Sequence, residues 1–132
     1  MATIDPADPP DDARRFLDER HLATLSTHRA DGSIHVVPVG FTYDADRRLA
    51  RIITRAGSHK VRNIEAHPGR RVTLCQVDGG RWLSLEGTAE VTAVTERVAE
   101  AVERYTRRYR EPGERSDRVA IEVAVDSIIG RA

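Results

Sequence analysis

The sequence predicts a small, mainly β domain in which short antiparallel strands curl into a closed or partly closed barrel flanked by helices. Three observations lead there. Apolar and polar residues alternate with period two in several short runs, most clearly Val119, Ile121, Val123 and Val125. Aspartate–glycine turn signals join neighbouring runs at Asp31-Gly32 and at Asp78-Gly79-Gly80. No helix-by-helix alternation of the kind that builds a parallel sheet is visible, so a barrel fits better than a doubly wound sheet. A chain of 132 residues suffices for one domain around one core.

In order, the elements read α-β-β-β-α-β-β-α-β. Residues 1–10 are acidic and proline-rich and are expected to form a disordered tail before a single domain over residues 11–132. Ala13, Phe16 and Leu17 then mark one face of a short helix that begins at Asp11 or Asp12. Leu22 to Thr27 and Ile34 to Tyr43 form a strand pair across the Asp31-Gly32 turn. Pro38 lacks an N–H, so its position should be an edge, a bulge or a place that something else approaches. Leu49 to Thr54 is the third strand. A helix after Ser58 stops at His67-Pro68-Gly69, and the strands Val72 to Val77 and Trp82 to Val91 follow as a hairpin. Val94, Val98, Ala101, Val102, Tyr105 and Tyr109 recur at helical spacing, and Glu111-Pro112-Gly113 closes that helix before the last strand.

Composition excludes several classes. Lys plus Arg and Asp plus Glu stand at 21 each, so no general attraction to nucleic acid or membrane follows. No apolar run is long enough to span a bilayer, and the N-terminus has neither the basic nor the apolar part of a leader. Cys75 is the only cysteine, which excludes an intrachain disulfide and suits a reducing, cytoplasmic setting.

The stretch Ile52 to Ile64, I-I-T-R-A-G-S-H-K-V-R-N-I, is the chemically suggestive one. A strand end runs through Gly57 into a helix whose N-cap is Ser58, leaving backbone N–H groups and the helix dipole to favour an anion. Arg55 and Lys60, the sole lysine, flank the turn and add charge. One reading is a phosphate clamp; the other is an ordinary capped helix with two solvated basic residues. Elsewhere no metal-ligand spacing joins the five histidines, and no nucleophile elbow, P-loop or dinucleotide fingerprint is present. Trp82 suits either stacking on a planar ligand or a core or dimer contact. Arg104, Arg107, Arg108 and Arg110 suit either a solvated helix end or an anionic tail. One anion site without a catalytic constellation suggests that a cofactor carries the chemistry.

The runs F-L-D-E-R-H-L-A-T-L-S-T-H-R-A-D-G-S-I-H-V-V-P-V-G-F-T-Y-D, I-T-R-A-G-S-H-K-V-R-N and C-Q-V-D-G-G-R-W-L-S-L-E-G-T-A resemble the split β-barrel flavin and deazaflavin oxidoreductases, relatives of pyridoxamine 5′-phosphate oxidase. With R-Y-T-R-R-Y-R-E-P, the chain is similar to the actinobacterial branch that uses coenzyme F420, and within it to the F420-dependent biliverdin reductases. The resemblance implies a split β-barrel with flanking helices and a phosphate held on Thr54, Arg55, Ala56, Gly57, Ser58 and Lys60. It implies a tricyclic ring lying along His35, Val37, Pro38 and Val39. It also implies a homodimer whose partner completes each site through Gln76, Gly80, Arg81 and Trp82. The implied reaction is hydride transfer from reduced F420 to a planar conjugated acceptor, biliverdin foremost. FMN is the alternative cofactor, and an FMN-dependent oxidase or a non-catalytic flavin, F420 or tetrapyrrole carrier the alternative function. No catalytic side chain is implied. The chain stops soon after its last strand, so vitamin B6 oxidation is not expected.

Overall fold

The computed structural model describes residues 2–132. It contains strands β1 (Ala2–Ile4), β2 (Ala23–His28), β3 (Ile34–Val39), β4 (Phe41–Asp44), β5 (Leu49–Arg55), β6 (Arg71–Asp78), β7 (Arg81–Thr92) and β8 (Arg118–Arg131). Helices α1 (Asp11–Asp18), α2 (His59–Ala66) and α3 (Thr95–Arg108) interrupt them. The strands make one antiparallel sheet in the order β3-β2-β6-β7-β8-β5-β4, with β1 attached to β8. Its end strands β3 and β4 are not paired with each other, so the barrel is split along that seam.

Alternation builds the core as the sequence suggests. Ala23, Leu25 and Thr27 of β2 point inward, as do Val72, Leu74 and Gln76 of β6 and Leu83 and Leu85 of β7. Phe16 and Leu17 of α1, Val61 and Ile64 of α2, and Ile121, Val123 and Ile128 of β8 complete the cluster. Truncating one of its fully buried leucines to alanine costs about 2–5 kcal/mol. Long β7 and β8 stay in contact through a register shift between Glu86 and Gly87. A Cβ on Gly87 would sit 1.9 Å from the carbonyl oxygen of Ala124, so only glycine lets the strands approach there.

Three expectations need correction. The start of the chain is not a loose tail: Ala2–Ile4 pairs with Ile128–Gly130, and Ile4 is buried, because β8 runs past β5 and offers a free edge. Met1 lies outside the described residues. The run from Ile34 to Tyr43 is two strands rather than one, divided at Gly40. A Cβ there would lie 3.0 Å from the Tyr105 ring and 3.2 Å from that of Tyr109, so glycine admits the tyrosines of α3 at the break. Finally, β8 extends to Arg131, beyond the alternating valines, because its second half pairs with β7 and β1.

The C-terminal end of α3 is fixed from several directions. The Tyr109 hydroxyl accepts from the Phe41 N–H at 3.1 Å and lies 2.7 Å from the His21 carbonyl, to which it donates. Burial pushes that hydroxyl's pKa up. Buried Asp44 accepts from Arg51 at 3.1 Å and pairs with Arg104 of α3 at 3.2 Å. Among the described residues, no helix is long and apolar enough to cross a membrane.

On the opposite face of the strands from the core, the sheet presents uncovered apolar groups. Ile34 and Val36 of β3 and Val77 of β6 are each more than half exposed. Half-buried Cys75, Trp82 and Ile129 share that face through the β2–β6–β7–β8 register.

Candidate functional site

A cavity of about 350 Å³ opens at the seam. Pro38, Val39 and Gly40, where the chain passes from β3 to β4, form one wall; Ile52, Ile53, Thr54 and Arg55 of β5 form the next. Tyr105 of α3, Lys60 of α2, Pro112 and Arg115 of the segment joining α3 to β8, and Arg118 at the start of β8 close it. One end is therefore apolar and the other cationic. Pro38 sits on an edge strand paired only with β2, so its missing donor leaves no gap in a ladder.

Among the described residues the cationic end is short of counter-ions, Arg115 alone having an acid partner, Asp117 at 3.3 Å. Among the described residues, the side chains of Arg55 and Lys60 make no ion pair or hydrogen bond, and Arg118 donates only to the Gly113 carbonyl, at 2.6 Å. Burial and then the charge of Arg55 push the Lys60 pKa below that of a solvated lysine. Arg55 and Arg118 are direct partners in the β5–β8 ladder, where like charges repel. An anion placed there would relieve all three costs.

Ser58 stands at the N-cap of α2 with extended backbone, but its hydroxyl caps nothing. It is buried, and among the described residues its hydroxyl has one hydrogen-bond partner, the Thr54 hydroxyl, which donates to it across a long 3.5 Å; the Ser58 hydrogen is free for a ligand, and that of Thr54 has only this weak contact to give up. The backbone is less available than the sequence suggests. Ala56 N–H donates to Asp117 C=O at 2.9 Å and Ser58 N–H to Arg55 C=O at 3.2 Å. The first-turn amides of His59, Lys60 and Val61 are the ones a helix leaves without internal partners. Gly57 does not use the left-handed region, and an added Cβ would meet only the Arg55 guanidinium at 3.5 Å.

The structure thus brings Pro38, Val39, Thr54, Arg55 and Lys60 into one cavity, with Ala56, Gly57 and Ser58 in its adjoining turn. His35 and Val37 lie further along β3 on the face of Val39. The His35 ring is 6.0 Å from that of His59, its Nδ1 is buried without a partner, and burial followed by the Arg29, His59 and Lys60 charges lowers its pKa.

The residues of the β6–β7 hairpin are elsewhere. Gln76 is fully buried, donating to the Phe16 carbonyl at 2.8 Å and accepting from Arg108 at 2.6 Å. The Arg81 fork grips Glu19 at 2.6 and 3.0 Å and Asp78 at 2.5 Å, and it lies 4.5 Å over the Phe16 ring. Gly80 is exposed and Trp82 half-buried. Of the helix-end arginines, Arg104 pairs with Asp44 and Arg108 donates to the Glu19 and Phe41 carbonyls and to Gln76, whereas Arg107 and Arg110 are exposed. Gly40, Ile52, Ile53, Tyr105, Pro112, Arg115 and Arg118 also line the cavity, and the sequence assigns none of them to the site. In the sequence Tyr105 stands in an apolar helical stripe and in the run R-Y-T-R-R-Y-R-E-P, and Arg118 just before the last strand.

The profile of the pyridoxamine 5′-phosphate oxidase family matches residues 9–131. The chain belongs to that family. A curated relative, the F420H(2)-dependent biliverdin reductase of Mycobacterium tuberculosis (strain CDC 1551 / Oshkosh), is 51% identical over 122 residues, covering 92% of this chain and 88% of that protein. A solved structure described as an F420 reductase superposes with a TM-score of 0.73 at 25% identity, covering 91% of this chain and 98% of that one. A conserved hypothetical protein of Mycobacterium tuberculosis, Rv2991, shares the fold, with a TM-score of 0.78 at 21% identity over 94% of this chain and 84% of its own. The open sheet and the seam cavity are this pyridoxamine 5′-phosphate oxidase-like chain's version of a split barrel.

Proposed function

We propose that the chain is a coenzyme F420-dependent reductase delivering a hydride to a planar conjugated acceptor, with biliverdin as the foremost candidate. One observation carries the reading: cations of which only Arg115 has a carboxylate partner close one end of a cavity whose other end is apolar, a place for a ligand with an anionic tail and a flat ring. The 51%-identical biliverdin reductase supports F420 and biliverdin as the pair.

The donor set fits a phosphate. Arg55 and Lys60 would neutralise it, and the Ser58 and Thr54 hydroxyls would donate to it. Pro38, Val39 and Gly40 would bed the ring opposite Tyr105, with His35 and Val37 behind that wall. When bound, the reduced deazaflavin supplies the hydride. This chain's residues contribute orientation, holding two flat molecules in contact and excluding water between them. Fixing Tyr109 to β4 and Arg104 to Asp44 keeps Tyr105 in place for that task.

The same reading includes a homodimer. Exposed Ile34, Val36 and Val77 would be covered by a second copy, and exposed Gly80 with Trp82 are the hairpin groups free to approach the partner's site. Mixing purified protein with reduced F420 and biliverdin, and following absorbance, tests the activity. Oxidation of F420 with loss of the biliverdin band is expected; an unchanged cofactor would end the proposal. A yellow purified protein carrying FMN would redirect it to that cofactor.

A further inference from the structure

We infer that Arg108 is a positioning residue for the reaction: it stands in for a missing strand at the seam and holds the ring end of the cavity in shape. What the cavity binds rests on the function proposed above; the hold of Arg108 on its wall does not. β4 ends the sheet, with β5 as its ladder partner. At its first residue, Phe41, both backbone polar groups are nonetheless engaged by side chains. The N–H donates to the Tyr109 hydroxyl at 3.1 Å, and the carbonyl accepts from Arg108 Nη1 at 2.7 Å. Two side chains at the end of α3 thus do at Phe41 what a neighbouring strand would do elsewhere.

Arg108 suits that place by its shape. Its Nε donates to the Glu19 carbonyl at the end of α1 at 2.8 Å, and its Nη2 to Gln76 Oε1 at 2.6 Å. The guanidinium lies 4.9 Å over the Phe41 ring and 5.1 Å over that of Tyr109. Among the described residues no carboxylate pairs with it, and burial pushes its pKa below that of a solvated arginine. The fold therefore keeps a half-buried cation whose partners are all neutral oxygens, where an apolar side chain would cost less. In return it has a rigid fork joining α1, β4 and β6, which are distant in sequence. The joined segments shape the ring end of the cavity. Gly40 adjoins Phe41, Tyr105 lies one turn before Arg108 on α3, and a Cβ on Gly40 would come within 3.0 Å of the Tyr105 ring. Arg108 is not itself in the lining, so it acts on a ligand through Gly40 and Tyr105. Arg55 and Lys60, at the other end, are carried by β5 and α2. Loss of Arg108 should therefore loosen the ring and leave its phosphate held, and a ring misplaced by about 1 Å can cost about a hundredfold in rate.

Turnover of reduced F420 with biliverdin, calorimetric titration of F420, and amide hydrogen exchange of the cofactor-free protein test this in Arg108→Gln and Arg108→Lys. In both variants kcat should fall by about tenfold or more while F420 affinity stays within about twofold of wild type. Lysine keeps the charge without the fork, so it should not restore the rate. Arg108→Lys carries the same comparison should Arg108→Gln fail to fold. Leu85→Ala, which truncates a fully buried leucine of β7, is the control for stability, with Ile128→Val as its milder substitute. It should lower the denaturation midpoint and leave kcat of the folded protein near wild type. Without cofactor, the Phe41 amide should exchange about tenfold faster in Arg108→Lys relative to the Arg62 amide of α2, which donates to the Ser58 carbonyl. Unchanged kcat, F420 affinity that falls as far as kcat, an equal fall of kcat in the control, or Phe41 exchange in step with Arg62 would overturn the inference. If wild type does not oxidise reduced F420 but Phe41 exchange rises as stated, the function proposed above fails while the hold of Arg108 on the seam stands.

Discussion

The β5–α2 turn and the β6–β7 hairpin both carry arginine, and they use it in opposite ways. At the hairpin, Arg81 is gripped by two carboxylates, and their pKa values fall because of it, the hydrogen bond from Arg81 being the first cause for both Glu19 and Asp78. At the turn, Arg55 has no acid to grip, and the neighbouring pKa that falls is that of a lysine. A lowered carboxyl marks a charge already matched within the chain. The lowered lysine marks a cation disfavoured first by burial and then by the like charge of Arg55, which a bound anion would offset. On the function proposed here, it is unmatched cations, and not arginines as such, that mark the ligand end.

That contrast can be broken by experiment, most strongly at Gln76. Gln76→Ala leaves the Phe16 carbonyl and one Arg108 N–H without partners in the core, so unfolding free energy should fall by about 2–4 kcal/mol. Chemical denaturation measures the loss, and cofactor affinity of the folded fraction should hardly change. A variant of full stability with weakened affinity would return the hairpin to the binding site. Lys60→Ala should do the reverse, lowering F420 affinity by about 1.5–3 kcal/mol in a titration without lowering the denaturation midpoint of the empty protein. Arg55→Gln sharpens the point, because it removes one member of the Arg55–Arg118 pair. The empty protein should gain about 0.2–1 kcal/mol of stability even as it loses affinity for phosphate.

The smallest effects are in pH. Glu19 and Asp78 have folded pKa values below their ordinary 4.5 and 3.8, so the unfolded chain binds protons more readily. Their contribution is complete above those ordinary values and is lost as pH falls through the lowered ones, which an acid denaturation series on wild type and Arg81→Gln would resolve. Lys60 has the opposite consequence. Its folded pKa lies below 10.5, so the empty protein gains stability as pH rises through that window while phosphate affinity falls. Phosphate titrations at stepped alkaline pH should show that fall beginning before a solvated lysine would deprotonate.

Much of the architecture is legible in local pattern, since two-residue periodicity and the aspartate–glycine turns mark most strands. What is not legible depends on distant partners. The three residues of β1 have no pattern of their own and are ordered by the far half of β8. The V-G-F junction at Gly40 reads as one apolar run until the tyrosines of α3 are seen to press into it. At the site, the strand–turn–helix around Arg55 and Lys60 is written in adjacent residues. Arg118 faces Arg55 only through the β5–β8 register, which no spacing along the chain reveals. Arg81 reads as available because Glu19, which occupies it, is 62 residues away in sequence.

The most direct measurement is a side-by-side titration of F420 into the wild-type protein, Lys60→Ala and Arg81→Ala at moderate salt. Loss of affinity in Lys60→Ala with near wild-type binding in Arg81→Ala is the predicted result. Equal losses in both, or none in Lys60→Ala, would contradict the assignment of the cofactor's phosphate to the β5–α2 turn.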